Sequence, residues 1–138
     1  MADQVHFELV SPERLLFSAN VGEIVIPGTE GDFAVLPGHS NLISTVRPGV
    51  IQILGDGNSI SDRIFVEGGF AEVNAAGCTV LAERAQRVDE IDRAKAEQAL
   101  ADAREDVQDA KNDAERAAAV DILTVAEARM HALGASVY

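Results

Sequence analysis

The first half of the chain alternates and the second half does not. Val5, Phe7 and Leu9 are separated by His6 and Glu8, a period of two that puts three apolar side chains on one face of an extended strand. Short apolar runs follow. Ile24-Val25-Ile26 ends at Pro27-Gly28, and Val50-Ile51-Gln52-Ile53-Leu54 ends at Gly55-Asp56-Gly57. Ile64-Phe65-Val66, Phe70-Ala71-Glu72-Val73 and Cys78-Thr79-Val80-Leu81 come next. Strands this short, recurring about every 8–12 residues between Gly, Pro, Asn and Asp, predict an antiparallel β-sandwich or barrel. Its expected core is Leu9, Ile24, Ile26, Ile51, Ile53, Phe65, Val66 and Leu81. The segment from Ile26 to His39 reads as two consecutive Gly- and Pro-rich loops that crowd Phe33, Val35 and Leu36 beside Glu30 and Asp32.

Beyond residue 86 the period lengthens to about 3.6. Ala96, Ala99, Leu100, Ala103, Val107, Ala110 and Ala114 fall on one helical face. Asn112 followed three residues later by Glu115 is the signature of a new helix start, so the helix breaks near Lys111 and Asn112. A second stripe runs through Ala119, Ile122, Leu123, Ala126, Met130 and Leu133, with Gly134 placed to end it. The predicted architecture is α+β in two segregated parts: a β-sandwich over residues 1–86 and an antiparallel helical hairpin over 87–138. Burial contributes about 0.8 kcal/mol per CH₂, so a seam built largely of Ala holds two helices together weakly. Each helix remains locally favourable, which predicts a hairpin able to detach.

Composition supports this division and removes several functions. All four Pro, all five Phe and every Gly except Gly134 precede residue 87. The 138 residues carry 23 acidic and 11 basic side chains, a net charge of −12, which opposes binding to nucleic acid and to anionic lipid. A single cysteine, Cys78, allows no internal disulfide and, inside a strand pattern, reads as a buried thiol. The start Met1-Ala2-Asp3-Gln4 has neither a basic nor an apolar leader region, and no window holds 18 apolar residues. A soluble protein is expected.

Reactive chemistry is sparse. His6, His39 and His131 lie in three different elements, none at metal-ligand spacing with another His or with Cys78. No nucleophile elbow, zinc-protease signature, phosphate-binding loop or dinucleotide fingerprint occurs. The acidic run Asp102-Ala103-Arg104-Glu105-Asp106 lies off the apolar stripe and reads as a solvated helix face. No catalytic and no metal-binding residue is expected.

Several spaced stretches resemble the epsilon subunit of bacterial F-type ATP synthases, the counterpart of the mitochondrial delta subunit. They are Val10-Ser11-Pro12-Glu13 with Leu16-Phe17-Ser18, Pro27-Gly28-Thr29-Glu30-Gly31-Asp32-Phe33, and Val35-Leu36-Pro37-Gly38-His39. Arg47-Pro48-Gly49, Gly68-Gly69-Phe70-Ala71-Glu72-Val73 and Thr79-Val80-Leu81-Ala82-Glu83 complete the match. Ala34 stands where Gly is usual and Glu67 where Ser is common. The resemblance implies a ten-stranded sandwich with a C-terminal hairpin, in a non-catalytic subunit of the central rotor stalk. Its partners would be the gamma subunit, the ring of c subunits and, with the hairpin extended, the alpha/beta catalytic head, with no direct insertion into lipid. By the same resemblance Asp32 is a ring-contact candidate and His39 a gamma-contact candidate. The place implied is the cytoplasmic face of a bacterial inner membrane.

Some members of that family bind ATP through I-D-x-x-R-A at the start of the first helix. The corresponding stretch is Ile91-Asp92-Arg93-Ala94-Lys95-Ala96, which makes Asp92 and Lys95 the candidate nucleotide-binding pair. Lys95 keeps the charge of the usual Arg but lacks its planar fork, and Ala118 and Ile122 stand where binding members carry arginines. The other reading is that Asp92 caps the helix and Lys95 is a surface charge, with no cofactor required. A free-standing nucleotide-sensing module is the alternative to the rotor subunit, and the acidic turn-rich segment around Glu30 is the feature such a sensor would not need.

Overall fold

The computed structural model describes residues 3–55 and 59–134, and the molecule divides into two compact units, Met1–Arg87 and Val88–Tyr138. The first unit holds ten strands: β1 (Val5–Val10), β2 (Leu15–Val21), β3 (Glu23–Gly28), β4 (Gly31–Val35), β5 (Leu42–Val46), β6 (Gly49–Leu54), β7 (Ile60–Val66), β8 (Gly69–Asn74), β9 (Gly77–Leu81) and β10 (Ala85–Arg87). Their order is β10-β7-β6-β3-β5-β8-β9-β1-β2, with β4 paired to β3 off this path. β3 is the joint. Glu23, Ile24 and Val25 pair with β6, while Gly28 at its other end pairs with Val46 of β5. A strand shared in this way lets one continuous sheet fold into two layers.

Between those layers sits one core. Ile24, Ile26, Ile51, Ile53, Ile64 and Val66 meet Phe7, Leu9, Ala71, Val73, Cys78 and Val80 in a single buried cluster. Phe7 and Phe17 add a tilted ring pair with centroids 5.9 Å apart. Seven of the eight expected core residues are buried and Leu81 is not: it is 45% exposed. The reason is alternation along β9, in which Cys78 and Val80 point inward and Thr79 and Leu81 outward. The apolar pair Val80-Leu81 gives no local clue as to which member faces in.

The segment expected to form two loops contains a strand. β4 pairs with β3 as a hairpin, Ile24 opposite Val35 and Ile26 opposite Phe33, because both strands present apolar residues in matching register. Gly31, with φ of 127°, turns the tip. Of the turn expected at Gly55-Asp56-Gly57, the last two residues lie outside the described residues.

The second unit opens with a 3-10 turn (Val88–Glu90) and continues as α1 (Arg93–Asp109) and α2 (Asp113–Ala132). Asn112 caps α2, its Oδ1 accepting the Glu115 N–H at 2.8 Å, while Glu115 Oε2 accepts the Lys111 N–H at 2.7 Å. Gly134, with φ of 78°, follows the helix and donates its N–H to the His131 carbonyl. The seam is Ala96, Leu100, Ala103, Ala126 and Met130, with Ile91, Leu123 and Leu133 packed against it. Ile122, expected on the stripe, is 60% exposed. Its position, one residue before Leu123, swings it away from the face that Ala119, Ala126 and Met130 share.

Candidate functional site

At the tip of the β3–β4 hairpin, Glu30 and Asp32 are exposed beside Gly31. The tip is braced from β5 and the residue that follows it. Thr29 donates its N–H to the Thr45 carbonyl at 3.2 Å, and the two threonine hydroxyls lie 2.7 Å apart. Arg47 donates its backbone N–H to the Pro27 carbonyl at 2.9 Å, one guanidinium nitrogen to the Gly28 carbonyl at 2.6 Å, and the other to Asp32 Oδ1 at 2.5 Å. Both sides of the tip are therefore held as one piece. Asp32 lies near the start of β4 and His39 in the loop after its far end. The extended part of β4 between them, Asp32 to Val35, spans about 10 Å, so the structure does not bring the two candidates together. His39 Nδ1 lies 2.7 Å from the Ser40 carbonyl. A carbonyl only accepts, so Nδ1 carries the proton.

A second surface lies on the outward face of β8, β9, β1 and β2. Phe70 pairs with Leu81, Leu81 with Val10, and Val10 with Leu15. Phe70 and Leu81 are each 45% exposed and Leu15 is 55% exposed. Four apolar side chains on adjacent strands thus form a continuous row, each step about 5 Å. An open groove of about 490 Å³ borders its Phe70–Leu81 end, with Glu67, Glu83 and Arg84 on its walls. Alternation makes this row legible one strand at a time, but the register that aligns the four residues is set by pairing between strands far apart in sequence.

In the helical unit Asp92 is the N-cap of α1, its Oδ1 accepting the Lys95 N–H at 3.1 Å. Arg93, at the start of α1, donates across the open end of the hairpin to the Leu133 carbonyl that follows α2, at 3.0 Å. Ala118 and Ile122 are exposed on α2. The carboxylate of Asp92 already occupies the positive end of the helix, the position a phosphate would take. Among the described residues no buried polar or charged side chain occurs, and no group of three or more His, Cys, Asp or Glu converges as a metal site. Among them, too, no helix is long and apolar enough to cross a membrane.

The family described as "ATP synthase, Delta/Epsilon chain, beta-sandwich domain" matches residues 4–88, and the family of the C-terminal domain of the ATP synthase epsilon subunit matches residues 92–138. The protein belongs to the ATP synthase epsilon family. An ATP synthase epsilon chain of Maricaulis maris is 52% identical over 128 residues, which cover 93% of this chain and 95% of that one. The epsilon chain of Rhodospirillum centenum is 50% identical over 134 residues, 94% of this chain and 92% of that one. Among solved structures, a subunit in the Euglena gracilis mitochondrial ATP synthase, in an assembly of OSCP, F1 and c-ring, has a TM-score of 0.83 at 30% identity, covering 94% of this chain and 81% of that one. A subunit in the Tetrahymena thermophila mitochondrial enzyme shares the fold at 17% identity with a TM-score of 0.70, covering 96% of this chain and 99% of that one.

Sequence alone does not single out Arg47, although it stands in a matching stretch, because nothing local ties it to Asp32 fifteen residues earlier. The apolar row escapes a sequence reading for the same reason, since Leu81 reads as a core residue.

Proposed function

We propose that this protein is a non-catalytic central-stalk subunit of a proton-translocating F-type ATP synthase. It binds gamma and the c-ring and helps carry rotation between proton flow and ATP synthesis on other subunits. The observation that carries this reading is the Phe70–Leu81–Val10–Leu15 row. Subunits that rotate together need an interface that does not slip, and an apolar surface desolvated at its centre supplies one. Gamma is its partner in this reading, with His39 at a further gamma contact. The polar loops of the c-ring meet the charged β3–β4 tip around Asp32. The protein thus sits peripherally at the cytoplasmic face of the inner membrane, touching protein rather than lipid. The hairpin, with its alanine-rich seam, extends toward the alpha/beta head to restrain hydrolysis and needs no bound cofactor to fold.

The test is reconstitution with a synthase core stripped of this subunit. The native protein is expected to co-purify with gamma and the c-ring. Replacing Phe70→Ser together with Leu81→Ser is expected to weaken that association at least about tenfold while leaving the thermal melt of the free protein within a few degrees, since both side chains face outward. Failure of the native protein to associate, or unchanged binding by the double variant, overturns the reading.

A further inference from the structure

The tip of the β3–β4 hairpin offers two carboxylates, and the structure treats them differently. Asp32 is paired with the Arg47 guanidinium at 2.5 Å. Glu30 is exposed and, among the described residues, has no hydrogen-bond or ion-pair partner. The fork of Arg47 spans the base of the tip, one arm on the Gly28 carbonyl and the other on Asp32, while its own N–H holds Pro27. Lysine could not make both side-chain bonds in that planar geometry. Close packing narrows the base further: a Cβ at Gly28 would come within 2.7 Å of the Gly31 carbonyl oxygen and 3.0 Å of the Phe33 ring.

We propose that Arg47 is the positioning residue of this tip: by occupying the Asp32 carboxylate and the Gly28 carbonyl it rigidifies the hairpin and leaves Glu30 as the charge presented to a partner loop bearing Lys or Arg. This inference rests on the reading that the tip meets the c-ring. It departs from the expectation that Asp32 makes the contact. An exposed ion pair on its own contributes little. Arg47 acts instead through geometry, by reducing the freedom the tip would lose on binding.

The experiment uses the full-length protein and, as probe, the purified gamma–c-ring assembly stripped of this subunit, with affinity measured at low and high salt. Glu30→Gln is expected to weaken binding about threefold to fivefold at low salt and to flatten the salt dependence. Asp32→Asn keeps an Oδ1 that accepts the Arg47 bond, so the clamp persists and affinity is expected to stay within about twofold of the native protein. Arg47→Met is expected to speed amide exchange at residues 29–32 without shifting the melt of the sandwich, and to unmask Asp32, so that Asp32→Asn now lowers affinity in the Arg47→Met background. A purely structural Arg47 would not produce that background dependence. If Asp32→Asn weakens the native protein as much as Glu30→Gln, the proposal is overturned while the c-ring reading stands. If the native protein binds and neither carboxylate matters, or if it does not bind the probe at all, the c-ring reading falls and this proposal with it.

Discussion

Both ring nitrogens of His6 face oxygen acceptors, Nδ1 toward Asn20 Oδ1 and Nε2 toward Glu8 Oε1, each at 2.9 Å. Only the imidazolium donates from both nitrogens. The hydrogen bond to Glu8, then that to Asn20, raises the pKa above its ordinary 6.5. Its stabilising effect is therefore fully present below about 6.5 and is lost as pH rises through the raised folded value. An NMR titration is expected to place His6 above the unfolded value, and Glu8→Gln to return it toward 6.5; a native titration at or below 6.5 would contradict this. Cys78 is the opposite case, a strand thiol pushed up to about 12 by burial and so inert as a nucleophile near neutral pH. Its burial follows from its place in an alternating strand. The environment of His6 does not, because Asn20 sits on a different strand and only the β1–β2 register brings it opposite.

Among the elements, the helical hairpin is the most legible in sequence and β3–β4 the least. Period, cap and stop signals all act within a turn or two, so Asn112, Glu115 and Gly134 announce their roles locally. Pro27, by contrast, sits inside a strand and reads as a turn. It is tolerated because its carbonyl bonds to Arg47 and its missing N–H removes no bond the fold requires. The same local logic bears on the start of α1. Asp92 has its carboxylate committed to the first turn, and Lys95 stands where an Arg would be needed to hold phosphate bidentately. Calorimetric titration of the protein with Mg-ATP is expected to show no saturation through the low millimolar range. Clear saturation at micromolar nucleotide would establish Asp92 and Lys95 as a working site.

At the scale of the whole molecule, charge and core are distributed over two units that each have their own apolar cluster. Residues 1–86 carry 11 acidic and 4 basic side chains, net −7, and residues 87–138 carry 12 and 7, net −5. Removing residues 88–138 leaves the ten-stranded core cluster complete. In the reconstituted synthase this deletion is expected to raise ATP hydrolysis while ATP synthesis is retained. Unchanged hydrolysis would show that the hairpin does not restrain the enzyme.

By itself the sequence determined both helices and their caps, six of the ten strands (β1, β3, β6, β7, β8 and β9), and where the architecture changes. These properties depend on neighbours a few residues away: alternation, periodicity, turn residues and caps. Tertiary structure alone decided that Leu81 points outward to join Phe70, Val10 and Leu15, and that Arg47 reaches back to Asp32. Those outcomes depend on strand register and sheet order, which long-range packing selects and no local pattern encodes.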